Sequence, residues 1–199
     1  NNFGSSKEDA FRRDFTVNAM AYSPTRGYAD PFGGQQDMTD HILRTVGNPE
    51  ARFREDALRI LRGLRFAARF GFRIEEQTRR AMDTQIDGLD ALARERVMTE
   101  LEGFLKAAKA EDLLNAANIL CRLIPELAPT VGFDQHSPHH AYDVFTHIAD
   151  IGCNNRHTAG VAFRKFCGEA CVIAFVGATD ENIAVTAEHV FDCFGVRKP

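Results

Sequence analysis

The sequence predicts a mainly α protein with a small β component near its N-terminal side. Three observations lead there. Residues 54–72, REDALRILRGLRFAARFGF, contain no Pro, and at about 100° per residue Ala57, Ile60, Leu61, Leu64, Ala67 and Ala68 share one helix face. Short β-branched and aromatic runs punctuated by Pro and Gly are confined to the residues before Asn48-Pro49. Beyond that pair, apolar stripes at helical spacing follow one another.

Taken in order, residues 7–15 are polar with a helical pattern. Residues 16–22, TVNAMAY, suit a strand or a buried helical turn. Ser23-Pro24-Thr25-Arg26-Gly27 is a turn, so residues 27–30 form the return strand of a hairpin. Asp30-Pro31-Phe32-Gly33-Gly34 is a second tight turn, and residues 42–46, ILRTV, form a short strand. A helix then opens near Arg52 and continues unbroken through 54–72. Residues 74–85 form the next helix, with Glu75 and Glu76 at its positive end. Residues 91–110 form a long helix striped by Val97, Leu101, Phe104 and Leu105, and residues 112–123 another, stopped by Pro125 and Pro129. Residues 138–151 and 186–194 also have a helical pattern, whereas the apolar run 171–177 fits helix or strand.

Composition excludes several classes. No apolar run approaches the roughly 18 residues that span a membrane, so no membrane partner is expected. The N-terminus has no basic-then-apolar leader and opens on Asn1, which reads as an internal start. Five cysteines, without CxxC spacing, fit reduced thiols in a cytoplasm. The net charge of −4 is unevenly divided: residues 1–80 carry 14 Lys and Arg against 11 Asp and Glu, so an anionic ligand favours this part.

Several constellations carry chemistry. Asp56 and Arg59 lie three residues apart on the 54–72 helix, beside a surface left bare by Gly63. A carboxylate next to a guanidinium can read a base edge: one accepts from the amino group of cytosine or adenine, the other donates to the neighbouring ring nitrogen. The same spacing also suits a surface ion pair worth a few tenths of a kcal/mol. Arg62, Arg65 and Arg69 gather on another side of the helix. Arg12-Arg13-Asp14 offers guanidinium forks to phosphate, or is an exposed charge cluster. The Asp30–Asp37 stretch lacks a following Lys-Ser/Thr and is a structural turn, not a phosphate loop. His136, His139, His140 and His147 cluster in sequence, but a metal site needs further ligands and supporting partners.

In their order, these motifs resemble one family. Arg12-Arg13-Asp14-Phe15-Thr16-Val17-Asn18-Ala19, Asp30-Pro31-Phe32-Gly33-Gly34 with Asp37, Gly47-Asn48-Pro49, and Arg52-Phe53 with Glu55-Asp56-Ala57-Leu58-Arg59 and Arg62 are similar to the class II tRNA nucleotidyltransferases. That family contains CCA-adding enzymes and bacterial poly(A) polymerases. The likeness continues through residues 65–72 and through Glu95-Arg96 with Glu100-Leu101, ending around Pro125-Glu126-Leu127.

The resemblance implies part of a polymerase-beta-type head in residues 1–47, a nucleotide-selecting helical neck in 48–115 and a helical body in 116–199. It implies that Arg13, Asp14 and Asn18 contact the nucleotide from the head motif, and that Asp56 and Arg59 pair with CTP or ATP. Arg62 and Arg65 join this nucleotide-binding set, while Glu95 and Arg96 support the reading helix. The implied partners are tRNA, CTP and ATP, and the implied cofactor is Mg²⁺.

Two departures stand out. The family's metal-binding Asp-x-Asp is absent from the chain, so Mg²⁺ is expected on residues outside it and the chain alone is expected to be inactive. Residues 135–147 resemble the opening of an HD phosphohydrolase domain, with His147 matching its first metal-binding histidine. The His-Asp dyad expected later is replaced around Phe166-Cys167-Gly168-Glu169, so this region reads as a degenerate scaffold without metal. A poly(A) polymerase is the nearest rival reading, and CC-only or A-only addition is close to it. An HD phosphohydrolase or a non-catalytic RNA-binding module are the rivals of other classes.

Overall fold

A computed structural model describes residues 6–133, 143–146 and 149. The described residues fall into two compact units, one running to Ala107 and one beginning at Ala108. Both are dominated by helix, as expected.

The first unit opens with α1 (Ser6–Arg12) and a 3-10 turn (Thr16–Asn18), so the TVNAMAY run is divided between helical turn and strand. Strands β1 (Ala21–Ser23) and β2 (Gly27–Ala29) pair antiparallel around the Pro24–Gly27 turn, with Tyr22 opposite Tyr28. The second turn starts α2 (Gly34–Thr39). Asp30 receives the N–H groups of Gly34 at 2.8 Å and Gln35 at 2.9 Å, and Gly33 at its N-cap has φ of 75°, which glycine adopts without strain. The Asp30–Asp37 stretch is thus a helix-entry turn.

Strand β3 (Ile42–Leu43) pairs in parallel with β4 (Arg73–Ile74). The sequence places Ile74 in a helix. Instead Ile74 pairs with Leu43, Glu75 becomes the N-cap by accepting from Thr78 N, and α5 runs Glu76–Thr84. Two strand residues carry no readable period, and this pairing joins segments about thirty residues apart.

Asn48 caps α3 (Pro49–Glu55) by accepting from Ala51 N at 2.9 Å, with Pro49 at the first turn where its missing N–H costs nothing. The expected continuous 54–72 helix is broken. Asp56 is extended (φ −152°, ψ 101°), and α4 runs Leu58–Phe70 to a C-cap at Gly71 with φ of 67°. A 3-10 turn (Ile86–Ala91) leads to α6 (Arg94–Ala107), which packs along α4.

Phe15, Leu43 and Ala67 form the core beneath α4, edged by Val17, Phe66, Phe72 and Ile74. A fully buried Phe such as Phe15 contributes about 1.5–3 kcal/mol through apolar burial. Gly63 faces this core. A Cβ there would lie 2.4 Å from Met82 Cε and 3.1 Å from Phe15 Cζ, so the surface expected to be bare is filled by two buried side chains.

In the second unit, α7 (Ala110–Asn115) and α8 (Ala117–Leu123) replace the single helix expected over 112–123. The break lies at Ala116, and a 3-10 turn (Pro125–Thr130) follows. Leu113, Ile119, Leu120 and Leu127 are buried. The HD-like stretch, His147 and the helices expected over 138–151 and 186–194 lie outside the described residues, apart from a helical turn at 144–146.

Candidate functional site

The expected nucleotide-binding and supporting residues lie in the first unit, and most of them gather about α4. They form two groups of different character.

The first group lies between α4, α6 and the segment after α1. Asp14 is buried. Its Oδ1 accepts from Phe15 N at 2.9 Å and Asn18 Nδ2 at 3.2 Å, while its Oδ2 accepts from Arg62 Nε at 2.8 Å. Arg62 also approaches Glu100 at 3.9 Å, and Arg65 Nε donates to Glu100 Oε2 at 2.6 Å. A chain of charges therefore runs Asp14–Arg62–Glu100–Arg65. Arg62 and Arg65 are one turn apart on α4 and meet α6 on the same side. Gly103 of α6 makes room for Arg65: a Cβ there would stand 2.4 Å from Arg65 Cδ. Both guanidinium groups also lie over the Phe66 ring, at 5.5 and 4.5 Å.

The second group sits at the α3–α4 junction. Asp56 leaves the helix, and no ion pair joins it to Arg59. Its Oδ1 accepts from Leu58 N at 3.1 Å and its Oδ2 from Arg96 at 3.3 Å. Arg59 instead donates to Glu55 at 2.8 Å, to the Arg52 carbonyl at 3.1 Å and to the Arg12 carbonyl at 3.5 Å. Hydrogen bonding from Arg59 is the largest influence on Glu55 and holds its carboxyl below the usual range. Buried Arg52 fixes this cluster from beneath, donating to the Val46 carbonyl and Glu55 and lying over Phe11 at 4.6 Å.

Arg13 is not brought to either group. It lies exposed, paired with Asp9 one turn earlier at 3.0 Å. Glu95 is exposed at the start of α6. Sequence reasoning places Glu100, Glu55 and Arg52 in the motifs but assigns them no role, yet they organise both groups. One signal was available for Glu100: it stands four residues after Arg96 and so shares its helix face, opposite the Arg62/Arg65 face of α4.

Residues 2–44 match the family described as the poly A polymerase head domain, and residues 71–130 match a probable RNA and SrmB-binding site of polymerase A. A CCA-adding enzyme of Bacillus velezensis is 41% identical over 131 residues, which is 66% of this chain and 33% of that relative. Over these segments the chain resembles the tRNA nucleotidyltransferase and poly(A) polymerase family. Within this family, a CCA-adding enzyme of Staphylococcus saprophyticus is 52% identical over 95 residues, 48% of this chain and 24% of the relative. The chain thus spans a third or less of the length of these relatives. Among solved structures, the Bacillus stearothermophilus CCA-adding enzyme in complex with CTP is 40% identical with a TM-score of 0.55, covering 57% of this chain and 29% of that one. The Thermotoga maritima CCA-adding enzyme complexed with tRNA is 34% identical with a TM-score of 0.55, covering 60% and 31%.

Proposed function

We propose that this chain is the nucleotide-selecting portion of a tRNA nucleotidyltransferase that transfers CMP and AMP from CTP and ATP to the tRNA 3′ end, releasing pyrophosphate. The relatives named above, with their CTP and tRNA complexes, support the reaction class. The observation that carries the reading is the α3–α4 junction. Asp56 is capped into a fixed position with its Oδ2 toward solvent-exposed Arg96, and Arg59 stands in the first turn of the helix it begins. Asp56 supplies the acceptor for the amino group that cytosine and adenine share, and Arg59 retains N–H groups for the adjacent ring nitrogen. Uracil and guanine present the opposite pattern.

In this reading residues 1–47 are the end of the head, 48–115 the neck and 116–199 the body. Asp14 and Asn18 orient the head against α4 through Arg62, Arg65 completes that support, and exposed Arg13 is available to phosphate. Glu95 and Arg96 support the reading helix. The enzyme is cytoplasmic in this reading, in keeping with the reduced thiols expected from the cysteine spacing.

Mg²⁺ does not fit the described residues. Among the described residues no group of three or more His, Cys, Asp or Glu could hold a metal, and the sequence has no Asp-x-Asp. We therefore assign the ion to head carboxylates other than these and route no step through it. The test is equilibrium binding of the four nucleoside triphosphates to the 199-residue chain, beside a tRNA extension assay with Mg²⁺. Preference for CTP and ATP without extension is expected. Equal affinity for all four would overturn the base-reading assignment, and measurable incorporation would overturn the placement of the metal.

The family matches also carry the poly(A) polymerase description, which favours ATP-only addition as the second reading. Binding of CTP as tightly as ATP would exclude it.

A further inference from the structure

The far end of α4 carries a feature that base selection does not use. Phe66, Phe70 and Phe72 form a continuous aromatic series: Phe66 and Phe70 are stacked at 6.0 Å, and Phe70 meets Phe72 at 5.8 Å. His41 closes it, edge-on to Phe72 at 5.5 Å. Its backbone has φ of 54°, unusual for a residue other than glycine, and its carbonyl accepts from Arg73 N at 2.8 Å. Phe66 is anchored inward, edge-to-face on buried Phe15 at 6.0 Å. Phe70, by contrast, is 51% exposed.

Charge tells what suits this surface. Arg69 lies with its guanidinium 5.8 Å from the Phe70 ring centre, and Arg69 and Arg73 are both exposed. The neighbouring acids on α5 and its cap are already matched, Glu75 with Arg44 and Glu76 with Arg80. Neither Arg69 nor Arg73 has a carboxylate within ion-pair distance among the described residues. An exposed ring with one guanidinium beside it, and a second exposed arginine on the strand just after the helix, presents a π-face for a base and donors for the adjoining phosphates. A lone exposed Phe is ordinary on a protein surface, and Arg69 alone would suit the helix C-terminus. The anchored aromatic series and the second arginine together go beyond both.

We propose that Phe70, Arg69 and Arg73 form a binding surface for single-stranded RNA, in which an unpaired base stacks on Phe70 and flanking phosphates lie against the two arginines. It deepens the tRNA reading above by naming an RNA-binding surface at the other end of α4 from the base-reading pair.

The test uses the 199-residue chain and a fluorescein-labelled single-stranded RNA dodecamer, followed by anisotropy across a salt series, with CTP binding measured in parallel. Phe70→Ala should weaken RNA binding roughly 5- to 150-fold, and Phe70→Trp should restore it. Arg69→Gln with Arg73→Gln should lower the salt slope by about 0.7 for each phosphate that is no longer neutralised. CTP affinity should stay unchanged in all of these variants. Unchanged RNA affinity in Phe70→Ala and the arginine variant would overturn the proposal and leave the patch as bare surface or a protein-binding face. Equal binding of a duplex RNA of the same length would overturn the stacking element. Should Phe70→Ala lose its cooperative melting, the Trp and arginine variants decide. Loss of CTP selectivity by the wild-type chain with RNA binding intact would sink the base-reading assignment and not this one.

Discussion

The two ends of one short helical system treat arginine and carboxylate in opposite ways. Along the α4–α6 face, Asp14, Arg62, Glu100 and Arg65 bind one another, and the two carboxylates are largely removed from solvent. At the α3–α4 junction, Asp56 and Arg96 meet at 3.3 Å with both side chains substantially exposed. Arg59 is tethered, yet with N–H groups to spare. A carboxylate whose acceptor sites are filled by buried donors is a structural brace, because breaking it strands a charge. A carboxylate held in place by one oxygen while the other meets only an exposed side chain can exchange that partner for a ligand at small cost.

This contrast can be broken most severely at Asp14. Asp14→Ala removes the acceptor for Arg62, Asn18 and Phe15 N together. We expect a loss of about 3 kcal/mol in unfolding free energy, discounted from the fully buried case because Arg62 is partly exposed. Denaturant unfolding checks it, and a loss below about 1 kcal/mol would remove Asp14 from the brace.

Asp56→Asn addresses the other end. The amide keeps an acceptor for Leu58 N, so the helix start should survive, while the second acceptor becomes a donor. Discrimination of CTP and ATP over UTP and GTP should fall by about 1–3 kcal/mol, with stability changed by less than about 1 kcal/mol. The measurement is nucleotide affinity beside the melting temperature. Retained preference would return Asp56 to a capping role.

Glu100→Gln sharpens the division between the ends. Its shape is kept while the charge facing Arg62 and Arg65 is removed, for an expected destabilisation of about 1–2 kcal/mol. Nucleotide preference should be untouched. A changed preference at constant stability would show that the brace and the reading end are coupled.

The smallest effect concerns pH. Glu55 has its carboxyl lowered, first by the Arg59 hydrogen bond. Its contribution is therefore present above the unfolded value of about 4.3 and is lost as pH falls through the lower folded value. The side chain is 53% exposed, so screening keeps this contribution below about 1 kcal/mol. Stability profiles of wild type and Glu55→Gln should differ fully above a pH of about 4.3 and converge only once pH has fallen through the lower folded value.

What could be read from the residues alone was local. Pro24 and Gly27 mark the hairpin turn, Asn48-Pro49 marks a helix start, and the apolar period of residues 58–70 marks the face that is buried. Order and type of motif were enough to point to the family. Tertiary structure decided the rest. Glu55-Asp56-Ala57 has no helix breaker, so nothing local announces that Asp56 leaves the helix; a buried Arg52 beneath the junction and Arg96, forty residues onward, stabilise that break. The β3–β4 pair is too short to carry a period and exists because two distant segments meet over Phe15 and Ala67. Gly63 and Gly103 look alike in sequence, as helical positions without a side chain. Only their neighbours distinguish them, since one admits Phe15 and Met82 to the core and the other admits Arg65 to Glu100. Local preferences act over a few residues, whereas the partner of a charge or the filler of a gap is set by whichever segment folding brings against it.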